Sequence, residues 1–292
     1  METRILRSYA GLALAVVITV AGLTPLIHLI AVVAVNGVKA ISKNFPGFFF
    51  EERAIPGSEA IGGVGPYIVG TLILTTVASL IGIPISILAA VYTTQSVRTR
   101  LGPITSTFVR TMIEFPTIVV GLTVYGVLRI LDLGLQAIGL HSPIPRFSAL
   151  SGSIALAIIM TPFIYSQVEV SLREVPTHLR EAVYSLGGSR LISSYILLRY
   201  VKASILAGIG IGVGKAMGET APLLFTAFGS EYYPSGGLEA LLKPIGALTL
   251  GIYTMALSGY SNWVEASWGA AFMLLAISIA LFTAIRIISS RG

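Results

Sequence analysis

Apolar residues run through this chain in six long blocks, at 8–35, 66–94, 109–131, 149–168, 203–228 and 268–288, with polar stretches between them. Each block meets or exceeds the roughly 20 residues that an α-helix needs to cross the hydrocarbon core of a bilayer. The pattern therefore predicts an all-α integral membrane protein with about six transmembrane helices. The first block follows Arg4 and Arg7 and so has the basic flank of a signal peptide. Its apolar run is longer than the roughly 7–15 residues of a signal h-region, and no small-x-small site follows, so it reads as a retained helix. Pro84, Pro116, Pro162 and Pro222 each fall inside a block. Membrane helices tolerate this when neighbours satisfy the backbone groups that proline frees.

Composition sharpens the class. Hydrophobic residues make up 54% of the 292 and charged residues 11%, where a soluble domain carries roughly 25% charged. The mean hydropathy is +0.87. There is no cysteine, which excludes disulfides, thiolate metal sites and a cysteine nucleophile. The three histidines, His28, His141 and His178, are far apart in sequence, so no metal site is expected. The net charge of +6 is spread between the apolar blocks and not gathered in one basic stripe. That argues against nucleic acid as a partner and for a positive-inside bias. With the N-terminus inside, twelve cations fall on the inner side: Arg4, Arg7, Arg98, Arg100, Arg110, Arg173, Arg180, Arg190, Arg199, Lys202, Arg286 and Arg291. Six fall outside: Lys39, Lys43, Arg53, Arg129, Arg146 and Lys243. Both termini are therefore expected in the cytoplasm. The outer stretch 36–65 carries Phe45, Phe48, Phe49 and Phe50, and 229–267 carries Tyr232, Tyr233, Tyr260 and Trp263. These aromatics read first as an interfacial belt and second as a docking face for an external partner.

The longest inner stretch is 169–202. Pro176 suits the start of a helix, where its missing N–H is not needed. Leu179, Ala182, Val183 and Leu186 then fall at helical spacing on one face, with Arg180, Glu181 and Ser185 elsewhere. Gly187 and Gly188 suit the C-terminal end and Ser189 the cap of the next helix. Two readings of this short amphipathic helix stay open on pattern alone: it lies on the membrane surface, or it inserts into a groove of a partner.

The fifth block holds Lys215, the cation assigned to neither side. It reads Gly208-Ile-Gly210-Ile-Gly212-Val-Gly214-Lys215-Ala-Met-Gly218-Glu219-Thr220-Ala221-Pro222. A Walker A loop is excluded, because Ile209 stands where its first Gly belongs and Ala216 where its Ser or Thr belongs. A Rossmann glycine motif is excluded by Met217. The glycines instead suit close helix packing. A charge at bilayer depth costs at least roughly 2.5–3.5 kcal/mol. Lys215 and Glu219 are four apart and are expected on one helix face. They are either a mutually neutralising buried pair or the lining of a path for an ionic solute, and intramembrane ionisable residues favour the second. Glu114 and Thr220 join them as candidates for the path.

Two segments resemble a known family. Glu181-Ala182-Val183, three residues and Gly187 resemble the EAA-x3-G loop of permease subunits of binding-protein-dependent ABC importers. Lys215-Ala-Met-Gly218-Glu219-Thr220-Ala221-Pro222-Leu223-Leu224 is similar to the Arg-Ala-x-Gly-Glu-Thr-Ala-Pro-Leu-Leu segment of PstA-type phosphate permeases, and its Ala-Pro ending favours that type over the sister PstC type. Thr71-Leu72-Ile73, Gly82-Ile83-Pro84 and the run from Glu114 to Leu122 support the likeness. Two departures stand out. Leu197-Leu198-Arg199-Tyr200 lacks the family's proline, and Lys215 replaces Arg, keeping the charge but losing the planar fork that grips phosphate.

The resemblance implies a type I ABC importer permease bundle in the cell membrane. It implies an N-terminal helix and first external loop at 1–65, and a core transmembrane domain at 66–292 with its coupling loop at 169–202. Pro176, Leu179, Glu181, Ala182, Val183, Leu186 and Gly187 would then dock on an ATPase. The implied partners are a second permease of the PstC type, two cytoplasmic ATPase subunits and an extracytoplasmic phosphate-binding protein. The implied chemistry is none on this chain, with no cofactor of its own; the ATPases use ATP and Mg²⁺. A permease for another oxyanion, molybdate or sulfate, is the near alternative. An ion-gradient-driven secondary transporter and a non-transporting scaffold are the distant ones.

The orientation has a direct test in a chain without native cysteine. Cysteines introduced at Ser58 and Ser235 are expected to react with an impermeant maleimide in intact cells, and cysteines at Ser96 and Ser189 to resist it. The opposite pattern would invert the topology drawn from Lys and Arg.

Overall fold

The structure, a computed structural model, describes residues 2–96, 99–140, 143–185, 187 and 189–290. The helices are α1 (Glu2–Lys43), α2 (Gly65–Gln95), α3 (Leu101–Thr111), α4 (Thr117–Gln136), α5 (Ala149–Arg173), α6 (Thr177–Ser185), α7 (Arg190–Tyr200), α8 (Lys202–Met217), α9 (Ala221–Leu224), α10 (Leu248–Ala256) and α11 (Ser261–Ser290). Five of them, α1, α2, α4, α5 and α11, are long and apolar enough to cross a membrane; α7 and α8, bent by 76° at their junction, make a sixth if counted as one span. Among the described residues β-pairing is confined to two isolated bridges, Arg53–Gly62 and Phe228–Ile245.

The helices pack through small residues and hydroxyls, as they must where lipid offers no hydrophobic drive. α5 is the central element and packs against α2 and α8. Leu74 and Ala78 of α2, Leu156, Met160 and Ile164 of α5, and Val213 and Ala216 of α8 are all buried in one core. Ser153 Oγ donates to the Leu74 carbonyl and Ser86 Oγ to the Thr161 carbonyl, both at 3.2 Å, which ties α2 to α5 by hydrogen bonds across the interface. The glycine run of α8 resolves into two interleaved faces. Gly208 and Gly212 lie against Gln167 and Ile164 of α5, while Gly210 and Gly214 lie against Ile285 and Phe282 of α11. Alternate glycines thus let one helix approach two neighbours closely.

Two predicted spans prove to be broken. In 109–131, Val109 belongs to α3, and the chain turns through Met112–Glu114 before α4 begins after Pro116. Pro116 causes this, since a proline ring disfavours helical backbone at the residue before it, and Phe115 is extended, with ψ 131°. In 203–228, α8 stops at Met217, and Pro222 sits in the first turn of α9. Pro116 and Pro222 therefore start helices, whereas Pro84 and Pro162 are carried inside α2 and α5.

The predicted outer stretch 229–267 is likewise not a plain loop, because it holds α10. The first amide of α10, Leu248 N, donates to Thr71 Oγ1 at 2.8 Å. Its nine residues are too few to register as a span. Phe45, Phe50, Tyr232 and Tyr260 of the outer aromatics are exposed, while two others pin loops together. Trp263 Nε1 donates to the Ala54 carbonyl at 2.9 Å and Tyr233 to the Phe50 carbonyl at 2.5 Å. Arg53, ion-paired with Glu231, stacks 3.6 Å from the Trp263 ring centroid. Lys43 at the end of α1 meets Glu265 of α11 at 2.5 Å.

Close approach at α8 makes a prediction. A Cβ at Gly212 meets Ile164 and the Met160 carbonyl, whereas one at Gly22 meets nothing within 4 Å. Gly212→Val is expected to destabilise the detergent-solubilised chain by roughly 1–3 kcal/mol through overpacking, and Gly22→Val to be neutral, as read by thermal unfolding. Equal behaviour of the two variants would refute the packing role of the α8 glycines.

Candidate functional site

α8 ends in a polar break. Gly218 N donates to the Gly214 carbonyl and Glu219 N to the Ala216 carbonyl, both at 3.3 Å, so the helix tightens and stops. Thr220 then accepts the amides of Leu223 and Leu224 and opens α9. The peptide oxygen of Glu219, outside any helix, is taken by Thr249 Oγ1 of α10 at 2.8 Å. α4 crosses this region so closely that a Cβ at Gly121 would collide with the backbone of Pro222.

Lys215 and Glu219 do pair, with Nζ 2.6 Å from Oε1. The expected shared helix face is corrected: Lys215 is in the last turn of α8, and Glu219 lies beyond its end. The cause is local, since Gly218 leaves the helix and Pro222 has no N–H to carry the ladder on. Burial divides the pair unequally. The Lys215 side chain is 43% exposed and the Glu219 side chain 8%. The cation also stands at the carbonyl end of α8, where the helix dipole favours it.

Lys215 faces a cleft of about 480 Å³ between the α3–α4 corner, α5 and α8. Phe108, Met112, Phe115, Val119 and Phe163 line it with further apolar residues, Thr117 and Thr123 are among its few polar ones, and Lys215 is the one charged residue of the lining. A cation on a largely apolar lining can attract an anion, its charge being less screened than in bulk water. The other two candidates do not join it. Thr220 is half-buried at the break and Glu114 is exposed at the α3–α4 corner, and neither lines the cleft.

The inner loop places its residues differently from the expected stripe. α6 begins directly after Pro176, and Gly187 takes a left-handed φ of 71°, which glycine adopts without strain. Leu179 and Val183 turn onto the core of their own chain, while Pro176, Glu181 and Ala182 are exposed. Ala182 thus leaves the predicted apolar face, because the core that α6 meets takes Leu179 and Val183. Leu186 lies outside the described residues. Ser189 caps α7, accepting the Ile192 amide at 3.4 Å.

One charged residue was misplaced by pattern. Glu169, assigned to the inner loop, lies inside α5 and is fully buried against Arg110 and Arg173. The signal was available: Glu169 and Arg173 are four apart, the spacing of a helical ion pair that extends α5 past Val168.

Comparison with known proteins places this geometry in a lineage. No family model matches the chain. A probable phosphate transport system permease protein PstA of Methanocaldococcus jannaschii is 39% identical over 271 residues, covering 92% of this chain and 89% of the relative. This chain belongs to the PstA permease family. A PstA of Xylella fastidiosa is 34% identical over 241 residues, covering 80% of this chain and 78% of that one. Among solved structures, a bacterial alginate ABC transporter matches with a TM-score of 0.64 at 17% identity over 94% of each chain. The methionine transporter MetNI matches with a TM-score of 0.52 at 20% identity, covering 78% of this chain and 92% of that one. The fold is that of ABC importer permeases, and this member of the PstA family is an integral, multi-pass membrane protein.

The unequal burial of the pair has a measurable consequence. Lys215→Ala leaves Glu219 as a buried carboxylate without its partner, which costs roughly 1–3 kcal/mol. Adding Glu219→Gln removes the charge and is expected to restore most of that stability in detergent. A double variant no more stable than Lys215→Ala would show that the two groups do not interact.

Proposed function

We propose that this chain is the permease subunit of an ATP-driven importer of inorganic phosphate, and that the solute passes along the Lys215 cleft. The observation that carries the reading is the half-exposed Lys215, held by a buried Glu219 at a broken helix and facing an apolar cleft. Such a break places irregular backbone and charge where a pathway needs them. The 39% identity to a protein named as a phosphate permease supports phosphate as the solute. The complete transporter would add a second permease of the PstC type, two cytoplasmic ATPases that use ATP and Mg²⁺, and an extracytoplasmic phosphate-binding protein. This chain itself would neither hydrolyse ATP nor bind a cofactor. Both termini and α6 would lie in the cytoplasm, with the exposed Glu181 and Ala182 toward the ATPase. Closure of the ATPases would pull on α6 and rock the bundle between inward-open and outward-open forms.

Selectivity follows from protonation. Phosphate near neutral pH is an anion that still carries a proton. Lys215 attracts the charge, and the Glu219 carboxylate accepts that proton in a hydrogen bond. Sulfate has no proton to donate, so the same carboxylate repels it. Lys in place of Arg offers a point charge and no bidentate fork, so the hold on the anion is loose.

The test is uptake of labelled phosphate into proteoliposomes containing the chain and its partner subunits, with sulfate and molybdate as competitors. Wild type is expected to require ATP and the binding protein. Lys215→Ala is expected to abolish uptake, Lys215→Arg to retain it, and Glu219→Gln to transport partially with weaker rejection of sulfate. Gly187→Val, strained at a positive φ, is expected to lower uptake and coupled ATP hydrolysis while the chain still inserts. ATP-independent uptake would indicate a gradient-driven carrier. Preferred uptake of sulfate or molybdate would reassign the solute, and wild-type uptake by Lys215→Ala would move the path elsewhere.

A further inference from the structure

α5 carries a carboxylate that the phosphate path does not use. Glu169 is fully buried, and three side chains converge on it. Its Oε1 accepts Ser106 Oγ at 2.9 Å and Arg173 Nε and Nη2 at 3.2 and 2.8 Å. Its Oε2 accepts Arg110 Nε and Nη2 at 3.0 and 2.8 Å. Arg173 is on the same helix, four residues on. Ser106 and Arg110 belong to α3, so the carboxylate bonds α3 to α5. Apolar packing adds little to that attachment, because Gly102 and Val109 are the buried residues of α3's 11. Charge-assisted, forked bonds of this kind fix orientation as well as distance.

The two helices so joined lead in opposite directions. On α3, Ser106 and Arg110 share one face, while Phe108 faces the other way and, with Met112 just beyond the helix, lines the Lys215 cleft. On α5, Leu172 lies three residues after Glu169, and its carbonyl accepts Arg180 Nη2 of α6 at 2.6 Å. A continuous set of bonded elements therefore runs from α6 through Arg180, the end of α5, Glu169 and Arg110 to α3 and the cleft wall.

We infer that Glu169 is a positioning residue that transmits movement of α6 to the wall of the Lys215 cleft, with Arg110 as its grip on α3. The inference rests on the reading of the chain as an ATP-coupled permease. It assigns unequal parts to the two arginines. Arg110 carries the link between helices, and Arg173 only neutralises the carboxylate within α5.

The experiment compares phosphate moved per ATP hydrolysed in the full reconstituted complex. Arg110→Gln leaves Glu169 paired with Arg173 and is expected to keep ATP hydrolysis stimulated by the binding protein while phosphate per ATP falls on the order of tenfold. Arg173→Gln keeps the bond to α3 and is expected to stay within about twofold of wild type, the scale of one helical ion pair. Arg110→Lys keeps the charge without the fork, so an intermediate ratio is expected, and it is the variant read if Arg110→Gln does not assemble. A wild-type ratio in the Arg110 variant overturns the inference. So does an equal loss in Arg110→Gln and Arg173→Gln, which is the outcome for a buried carboxylate that only needs neutralising. A wild-type complex that moves no phosphate refutes the proposed function and this inference with it. A coupled wild type with indifferent Arg110 variants refutes this inference alone.

Discussion

A helix interrupted inside a bilayer must pass its freed peptide groups to other parts of the protein, since lipid can bond none of them. The break at Gly218–Thr220 is where this chain meets that constraint, and the surrounding architecture answers it. The Glu219 carbonyl is taken by Thr249, which sits in α10. α10 in turn is anchored at its first amide by Thr71 of α2. Two threonines and one nine-residue helix thus stabilise an opening in the backbone that a continuous span would not need. What the opening supplies is position. It lets Glu219 double back to Lys215 at a helix end and lets α9 pass under α4 at Gly121.

The long apolar blocks were legible because length and hydropathy alone decide whether a segment can span a bilayer. The breaks were not legible, because a proline inside an apolar run has two outcomes with one sequence signature. Pro84 and Pro162 continue their helices, while Pro116 and Pro222 begin new ones. Neighbours decide between these: Pro222 lies against Gly121, which has no side chain to keep α4 away. α10 escaped notice because nine apolar residues are too short to span, and its place depends on Thr71, 177 positions away from Leu248 in sequence. Of the candidate site, the Lys215–Glu219 contact was legible from spacing. The cleft was not, since its wall comes from α3, α4 and α5 and no local pattern joins them. The amphipathic pattern of α6 was legible, but the face it turns inward depends on the core that takes Leu179 and Val183 and on the Arg180 bond to Leu172.

Charge placement follows a common asymmetry. In most ion pairs among the described residues the carboxylate is the more buried member and the cation the more exposed one. Glu219 is 8% exposed beside Lys215 at 43%, and Glu169 is 0% exposed beside Arg110 at 47% and Arg173 at 44%. Burying a carboxylate is expensive unless it is bonded, and each anion is bonded to its cation or cations. The cations keep part of their surface free. Seen from water or from a solute, each cluster is positive although it contains an acid.

Among the described residues the outer loops also hold a pair of the opposite kind. There Arg53 is the buried member, with its side chain 7% exposed, and Glu231 the exposed one at 50%. Arg53 is sequestered over Trp263, and its task is to hold two loops together. Arg53 is thus a buried strut, whereas Lys215 stays accessible with Glu219 behind it, and the lining of the cleft it faces holds no other charge. On the proposed path, an anion entering the cleft meets Lys215 as the one charged residue of the lining, with Glu219 paired behind it. A single lysine gives one attraction with no fixed geometry. On the proposed path such a hold is weak enough for release, which passage through a membrane requires.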